Sequence, residues 1–287
     1  MDISRFIVPE EGKCDLSEIK TDSTGKFKSK EKAEESLAAN VLLMAEQQEK
    51  LYAQDKYALL ILFQGMDTAG KDGAIRHVMT GLNPQATQVS SFKQPSVEEL
   101  DHDYLWRASK RLPERGCIGI FNRSWYEEVL VVRVHDLIGT QKLPKDRITE
   151  NIWQERYHQI RNYEKYLFEN GIIPVKIFLH ISKDEQKKRL MERIENKSKN
   201  WKISDADIKE RAFWDQYQSC YSDALKETST KHSPWYVVPS DKKWYSRLVI
   251  SEIIIQTLKN LKLRYPTVTQ AQLKLLDEYK KALTEEV

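Results

Sequence analysis

Cysteine is scarce in this 287-residue chain: Cys14, Cys117 and Cys220 are odd in number and widely spaced, which excludes a disulfide-stapled secreted scaffold and a structural zinc site. The six histidines show no metal-ligand pattern either. No apolar run approaches the ~20 residues of a bilayer-crossing helix, and the opening MDISRFIVPEEGK has no signal-peptide apolar region, so a soluble, cytoplasmic protein without a membrane partner is expected. An excess of one charge is also missing. With 46 basic and 43 acidic residues the formal net charge is +3, so nucleic-acid binding through bulk charge is not indicated and any anionic partner must be met by a local patch. Trp106, Trp125, Trp153, Trp201 and Trp214 are scattered over several elements and do not interleave with basic residues as a stacking groove would. They are read as mostly core.

What is present is alternation. Short aliphatic or β-branched runs at Tyr57–Phe63, Gln88–Phe92, Cys117–Phe121, Val175–Ile181 and Trp235–Val238 are separated by helical stretches such as Val97–Leu112, Pro144–Asn170 and Trp244–Leu263. That order predicts an α/β fold, a parallel sheet with helices on both faces. Leu37, Val41, Met44 and Leu51 mark one face of a helix over Glu31–Asp55. Residues 1–30 are polar with little periodicity and read as an arm lying on the rest; 31–265 form one domain, and 266–287 a C-terminal helix. The basic stretch KKRLMERIENKSKNWK, Lys187–Lys202, has few core-type residues and begins a candidate helical lid over about 187–213.

The first predicted strand runs straight into Gly65-Met-Asp-Thr-Ala-Gly-Lys71, a G-x-x-x-x-G-K loop that opens a helix. In such a loop backbone amides and the helix N-terminus surround phosphate oxygens while the lysine supplies a mobile charge. Gly65, Ala69, Gly70 and Gly73 are the candidate phosphate cradle and Lys71 its cation. The position after the lysine, usually a metal-binding Ser or Thr, is Asp72, and a second carboxylate, Asp67, lies inside the loop. Two carboxylates beside a phosphate repel it unless a cation intervenes, so Mg²⁺, with Mn²⁺ as an alternative, is expected, with Asp67 as ligand. The other reading is a glycine turn that merely joins strand to helix, with Asp72 favoured by the helix dipole.

The third strand should end at Asn122, where an Asp would ordinarily orient the metal, and is followed by Arg123 and Glu127. Arg123 suits a bidentate phosphate contact and Glu127 an aligning role, against the alternative of a plain ion pair at an element end. Asn83 and Lys93 fall after the first helix and second strand, where a base pocket is plausible. In the lid, Lys188, Arg189, Arg193, Lys197, Lys199 and Lys202 are candidates for neutralising a polyanion, or a solvated helix face. His77 and His102 are read as ordinary helix histidines, since phosphoryl transfer needs positioning more than a histidine base.

Five blocks, GMDTAGKDGAIRHVMTGLNP, SFKQPSVEELDHDYLWR, LPERGCIGIFNRSWYEEVLVVRVH, NWKISDADIKERAFWDQY and SPWYVVPSDKKWYSRLVI, resemble in order and spacing the polyphosphate kinase 2 family over about residues 30–265. The resemblance implies a P-loop kinase fold of the thymidylate-kinase type, Mg²⁺ dependence, and reversible phosphoryl transfer between inorganic polyphosphate and purine nucleotides. It also implies a homo-oligomer, dimer or tetramer. NRSWYEEVLVVRVH looks like the class III type, which uses both mono- and diphosphates, and that subclass rests on Asn122 and Glu127. An ATP-dependent nucleoside monophosphate kinase and a non-catalytic nucleotide- or polyphosphate-binding protein remain the alternatives.

Overall fold

The structure is a computed structural model describing residues 1–285. Five strands, β1 (Ala58–Gln64), β2 (Thr87–Ser91), β3 (Ile118–Asn122), β4 (Ile172–His180) and β5 (Trp235–Pro239), form one wholly parallel sheet in the order β2-β3-β1-β4-β5. The helices are α1 (Lys30–Gln54), α2 (Lys71–Val78), α3 (Val97–Leu100), α4 (Trp106–Ser109), α5 (Val131–Val134), α6 (Ile152–Glu169), α7 (Lys183–Glu195), α8 (Asp205–Ala212), α9 (Trp214–Thr228), α10 (Lys243–Asn260) and α11 (Gln270–Glu285). The expected α/β architecture is therefore present, and the strand boundaries move by at most three residues. β4 starts earlier than expected, at Ile172, because Pro174 is tolerated there: β5 pairs with β4 only from Lys176 onward, so the proline sits where β4 is still an edge.

β1, ALLILFQ, is buried along its whole length, as a central parallel strand covered on both faces must be. α1, α2 and α10 pack as one group and α6 with α9 as another. α10 is apolar nearly all round, with Leu248, Val249, Ile250, Ile253 and Ile254 inaccessible to solvent. β1 lies between β3 and β4, so the chain leaves it first toward β3 and β2 and later toward β4 and β5. That reversal opens a crevice at the C-terminal end of β1, the usual ligand position in open α/β sheets.

Two helical expectations change. Val97–Leu112 is not one helix but the single turns of α3 and α4, because Asp103 Oδ1 accepts the Leu105 N–H at 2.9 Å and restarts the chain. Pro144–Asn170 is helical only from Ile152; a 3₁₀ turn over Lys145–Arg147 precedes it, and Thr149 Oγ1 accepts the Asn151 N–H. Glu31–Asp55 and Trp244–Leu263 correspond to α1 and α10 within a few residues. α11 exposes Leu273, Leu276, Tyr279 and Leu283, and residues 286–287 of the expected C-terminal helix lie outside the described residues.

The N-terminal arm lies along the free edge of the sheet. Val8 N–H donates to Trp235 O at 2.9 Å, Ile7 bridges Tyr236 antiparallel, and Phe6, Val8 and Leu16 are buried. Covering an edge strand in this way removes a row of unpaired backbone groups. The arm is fastened further on by His180, whose Nε2–H faces the carbonyls of Leu16 at 3.0 Å and Ile19 at 3.1 Å. Two carbonyl partners require the proton on Nε2. Burial pulls the His180 pKa below its usual 6.5. Above about pH 6.5 the ring is neutral in both folded and unfolded chains; below it the unfolded chain takes up a proton that the folded one resists, so stability falls with pH. Thermal melts should therefore drop between pH 7.5 and 5.5, with exchange of the 16–22 amides rising first, and the drop should be smaller in His180→Leu.

Candidate active site

The glycine loop begins where β1 ends. Gly65 has φ 149° and a Cβ there would come within 2.8 Å of the Leu179 carbonyl, so both conformation and space require glycine. At Gly70, φ 109°, it is the conformation alone that requires it. Between them Thr68 has φ 62°, which is rare for a β-branched residue. Lys71 opens α2 and curls back over the loop, its Nζ donating to Gly65 O at 2.5 Å and Met66 O at 3.3 Å. Burial, and then the Arg123 guanidinium, pull the Lys71 pKa down, opposed by Asp67, Glu127 and Asp72. The ammonium is held by backbone carbonyls that an arriving phosphate can replace.

β3 delivers the second half of the site. Arg123, at φ 66°, donates its N–H to Phe63 O of β1 at 3.0 Å, which aims its side chain across the loop. Its guanidinium meets Asp67 Oδ1 at 3.1 Å and Glu127 Oε2 at 3.5 Å. Glu127, with Asp67 adding to it, raises the Arg123 pKa, so the charge is permanent. Asp72, in the first turn of α2, accepts from Asn122 Nδ2 at 2.7 Å. The Asn122 Oδ1 atom is buried without a partner among the described residues. An Asp at 122 would set two carboxylates against each other at this point, whereas the amide supplies a donor.

Arg123 and Glu127 reach the loop because their neighbours are locked below it. The 3₁₀ turn Trp125–Glu128 is capped by Ser124 Oγ, and Trp125, Tyr126 and Glu128 are buried. Underneath, Lys176 of β4 and Glu164 of α6 are fully inaccessible and 2.6 Å apart. Glu164 also accepts from Tyr126 Oη at 2.7 Å and Trp125 Nε1 at 3.3 Å, while Lys176 donates to Thr228 O of α9 at 2.6 Å. Glu128 is held by Arg156 Nε at 2.9 Å and Gln141 Nε2 at 2.6 Å. None of this network was legible from sequence, where Lys176 is simply a polar break in an apolar strand. Removing one member of a buried pair leaves the other uncompensated, so Lys176→Met should destabilise the fold by about 3–5 kcal/mol. Lys176→Met with Glu164→Gln, which keeps an acceptor for Tyr126, should recover most of the loss in a denaturant titration.

The remaining expected site residues divide. Lys93 is exposed just beyond the C-terminal end of β2, on the side of the loop, and its carbonyl accepts from Arg107. Asn83 is not there. It precedes the N-terminal end of β2, where its side chain caps Gln85 and its backbone pairs with Gln48 at both N–H and carbonyl, so it serves the fold at the opposite end of the sheet. Arg189 is not a free lid cation: it is 4% exposed. Its five N–H groups all have partners, Glu185 Oε1 and the carbonyls of Thr68, Ala69, Ser240 and Asp241. Arg193 is tied to Lys202 O and Asp207 inside the lid. Lys188, Lys197 and Lys202 are exposed, and Lys199 is half-buried with its Nζ 3.8 Å from Glu192 Oε2. Trp201, expected in the core, is 78% exposed at the lid's turn, with Lys202 Nζ 5.0 Å from its ring centre. His77 bonds to Gly73 O within its own helix and His102 stacks on Trp106.

Residues that sequence reasoning missed are Gln186, which donates to Asp67 O at 3.1 Å, and the cluster in which Tyr217 Oη and His135 Nε2 both reach Glu210 Oε2, at 2.7 and 3.0 Å, tying α8 to the body. Partners so far apart in sequence leave no local signal. Arg247 of α10 and Arg76 of α2 were missed too; burial and then Arg76 push the Arg247 pKa down, a crowding of cations beside α2.

A parallel strand feeding a lysine-bearing glycine loop and helix, with an arginine and carboxylates at the neighbouring strand end, defines a P-loop phosphotransferase. The family model "Polyphosphate kinase 2 (PPK2)" matches residues 27–266, and the chain belongs to that family. It is 48% identical over 281 residues to an ADP-polyphosphate phosphotransferase of Rhodopseudomonas palustris, covering 97% of each chain. It is 42% identical over 277 residues to an AMP/ADP-polyphosphate phosphotransferase of Meiothermus ruber, covering 96% of this chain and 100% of the relative. The crystal structure of polyphosphate kinase 2 from Arthrobacter aurescens superposes with a TM-score of 0.86 at 39% identity, over 96% of both chains.

Proposed function

We propose that the protein transfers the terminal phosphoryl group of inorganic polyphosphate to nucleoside mono- and diphosphates, AMP to ADP and ADP to ATP, reversibly and with GMP and GDP as possible acceptors. The observation that carries this reading is Arg123, held between Asp67 of the loop and Glu127 beyond β3, a cation poised where two phosphate chains would meet. Relatives named for both ADP and AMP/ADP acceptors support the substrate class.

Two polyanions approaching each other must be neutralised, since unit charges about 4 Å apart repel by roughly 1 kcal/mol even in water. Lys71, released from Gly65 O and Met66 O, is the mobile cation; Arg123 is the fixed one. Exposed Lys188, Lys197 and Lys202 and half-buried Lys199 on the lid, and the crowded Arg76 and Arg247 beside α2, supply a path for a linear polyanion. The donor set fits Mg²⁺, or Mn²⁺: among the described residues no cluster of three His, Cys, Asp or Glu could cage a metal alone, but Asp67 and Asp72 are hard oxygen donors of the kind that hold Mg²⁺ together with phosphates and water. A bound Mg²⁺ would neutralise developing phosphate charge. The chain's own groups then align donor and acceptor in line and exclude water as the lid, about 187–213, closes. A cytoplasmic homo-oligomer, dimer or tetramer, acting on purine nucleotides without nucleic acid, completes the reading.

The deciding assay mixes polyphosphate with AMP, then ADP, without ATP and with or without Mg²⁺; no product from either acceptor overturns the proposal. Lys71→Ala should keep the wild-type melting curve and lose at least about a hundredfold in turnover, the ~2.7 kcal/mol of a lost transition-state contact. Asp67→Asn should behave similarly and resist rescue by added Mg²⁺. Glu127→Asn should depress the AMP reaction more than the ADP reaction, because the AMP phosphate lies one unit further from the loop and depends more on alignment. Equal loss on both acceptors returns Glu127 to a structural partner of Arg123.

A further inference from the structure

We infer that Gln186 and Arg189, one turn apart on α7, are positioning residues that set the peptide planes of the phosphate loop. They donate to three consecutive loop carbonyls: Gln186 Nε2 to Asp67 O at 3.1 Å, and Arg189 Nη1 to Thr68 O at 2.9 Å and Ala69 O at 3.0 Å. In a trans peptide C=O and N–H point opposite ways. Anchoring the Asp67 and Ala69 carbonyls toward α7 therefore turns the N–H groups of Thr68 and Gly70 away from it, to the side that receives phosphate. Both side chains are buried, at 2% and 4% exposure, so neither relaxes into water.

The loop needs such a hold. Thr68 sits at φ 62°, which a β-branched residue resists, and its Oγ1 is buried without a partner among the described residues, so nothing within the side chain itself favours that conformation. The other arm of Arg189 reaches Ser240 O at 2.6 Å and Asp241 O at 3.1 Å, past the end of β5, and Nε takes Glu185 Oε1 at 2.9 Å. One guanidinium thus spans the loop, α7 and the exit of β5. Gln186 is itself fixed, its Oε1 accepting from Arg211 Nη1 at 2.6 Å, and Arg211 belongs to the lid helix α8. The lid is thereby joined to the loop by Arg211, Gln186 and the Asp67 carbonyl in series. With its N–H groups spoken for, Arg189 acts on phosphate only through the loop.

The inference uses the proposed reaction to supply the phosphate, and its test has one arm independent of activity. Hydrogen exchange of residues 65–71 is compared in wild type, Arg189→Lys and Gln186→Leu, alongside kcat and KM for polyphosphate and nucleotide. Faster exchange confined to the loop, kcat down by at least about tenfold and KM for polyphosphate within about twofold are expected. Thr68→Gly, which removes the resistance to positive φ, should restore a several-fold share of kcat to Arg189→Lys. Unchanged exchange, a raised KM for polyphosphate at constant kcat, or no rescue by Thr68→Gly overturns it. Should Arg189→Lys fail to fold, Gln186→Leu with and without Thr68→Gly carries the same comparison. A wild type inactive on polyphosphate sinks the substrate reading, while loop exchange still decides the positioning role.

Discussion

The ion pair between Glu164 and Lys176 is the contact on which the rest of the active edge depends. Neither side chain is accessible to water, and two charges so placed persist only if every remaining donor and acceptor is used. Here Tyr126, Trp125 and Thr228 complete the set, and Trp235 Nε1 and the Tyr126 hydroxyl share the Thr228 hydroxyl. α6, β4, α9, the start of β5 and the turn after β3 are thereby joined at one point. That turn then has little freedom: with 124, 125, 126 and 128 pinned inward, Arg123 and Glu127 have only the loop side left.

Above this platform the electrostatics invert. Below, charge is matched one for one; at the loop, Lys71 is partnered by carbonyls and Arg123 by two carboxylates at once. Burial and Arg123 disfavour the charge on Lys71, while Asp67 and Glu127 favour the charge on Arg123. A site so arranged gains most from a ligand of high negative charge, because each phosphate oxygen relieves cation repulsion and replaces a weaker carbonyl contact.

The arm and lid approach the same sheet edge from different directions. Thr21 Oγ1 bonds to Asp241 Oδ2 at 2.7 Å, Asp241 Oδ1 accepts the Ser182 N–H at 2.9 Å, and the Asp241 carbonyl accepts from Arg189. The loop after β5 is thus shared between the arm, the start of α7 and the phosphate loop. Arg189 was legible in the sequence only as one more positive charge in KKRLMERIE. That reading is right for Lys188, which is exposed, and wrong for its neighbour, because a helix turns about 100° per residue and one of two adjacent side chains must face the body.

Local pattern was enough to determine the parallel strands, the glycine loop and its lysine, since a buried parallel strand has to be continuously apolar and the loop turns through positive φ at Gly65 and Gly70, where glycine is the residue that fits. Asp67, Lys71, Asp72, Asn122, Arg123 and Glu127 come together because the loop after β1 and the turn after β3 leave adjacent parallel strands at the same end of the sheet. Sequence could not separate a helix from two turns at Val97–Leu112, where a single side-chain bond from Asp103 decides. Nor could it show that Asn83 belongs to the far end of the sheet, that Trp201 is exposed, or that Gln186 and Arg189 reach the loop from 119 to 121 residues away along the chain. These depend on which side chains meet after the sheet is assembled, and the burial that turns such meetings into strong hydrogen bonds exists only in the folded molecule.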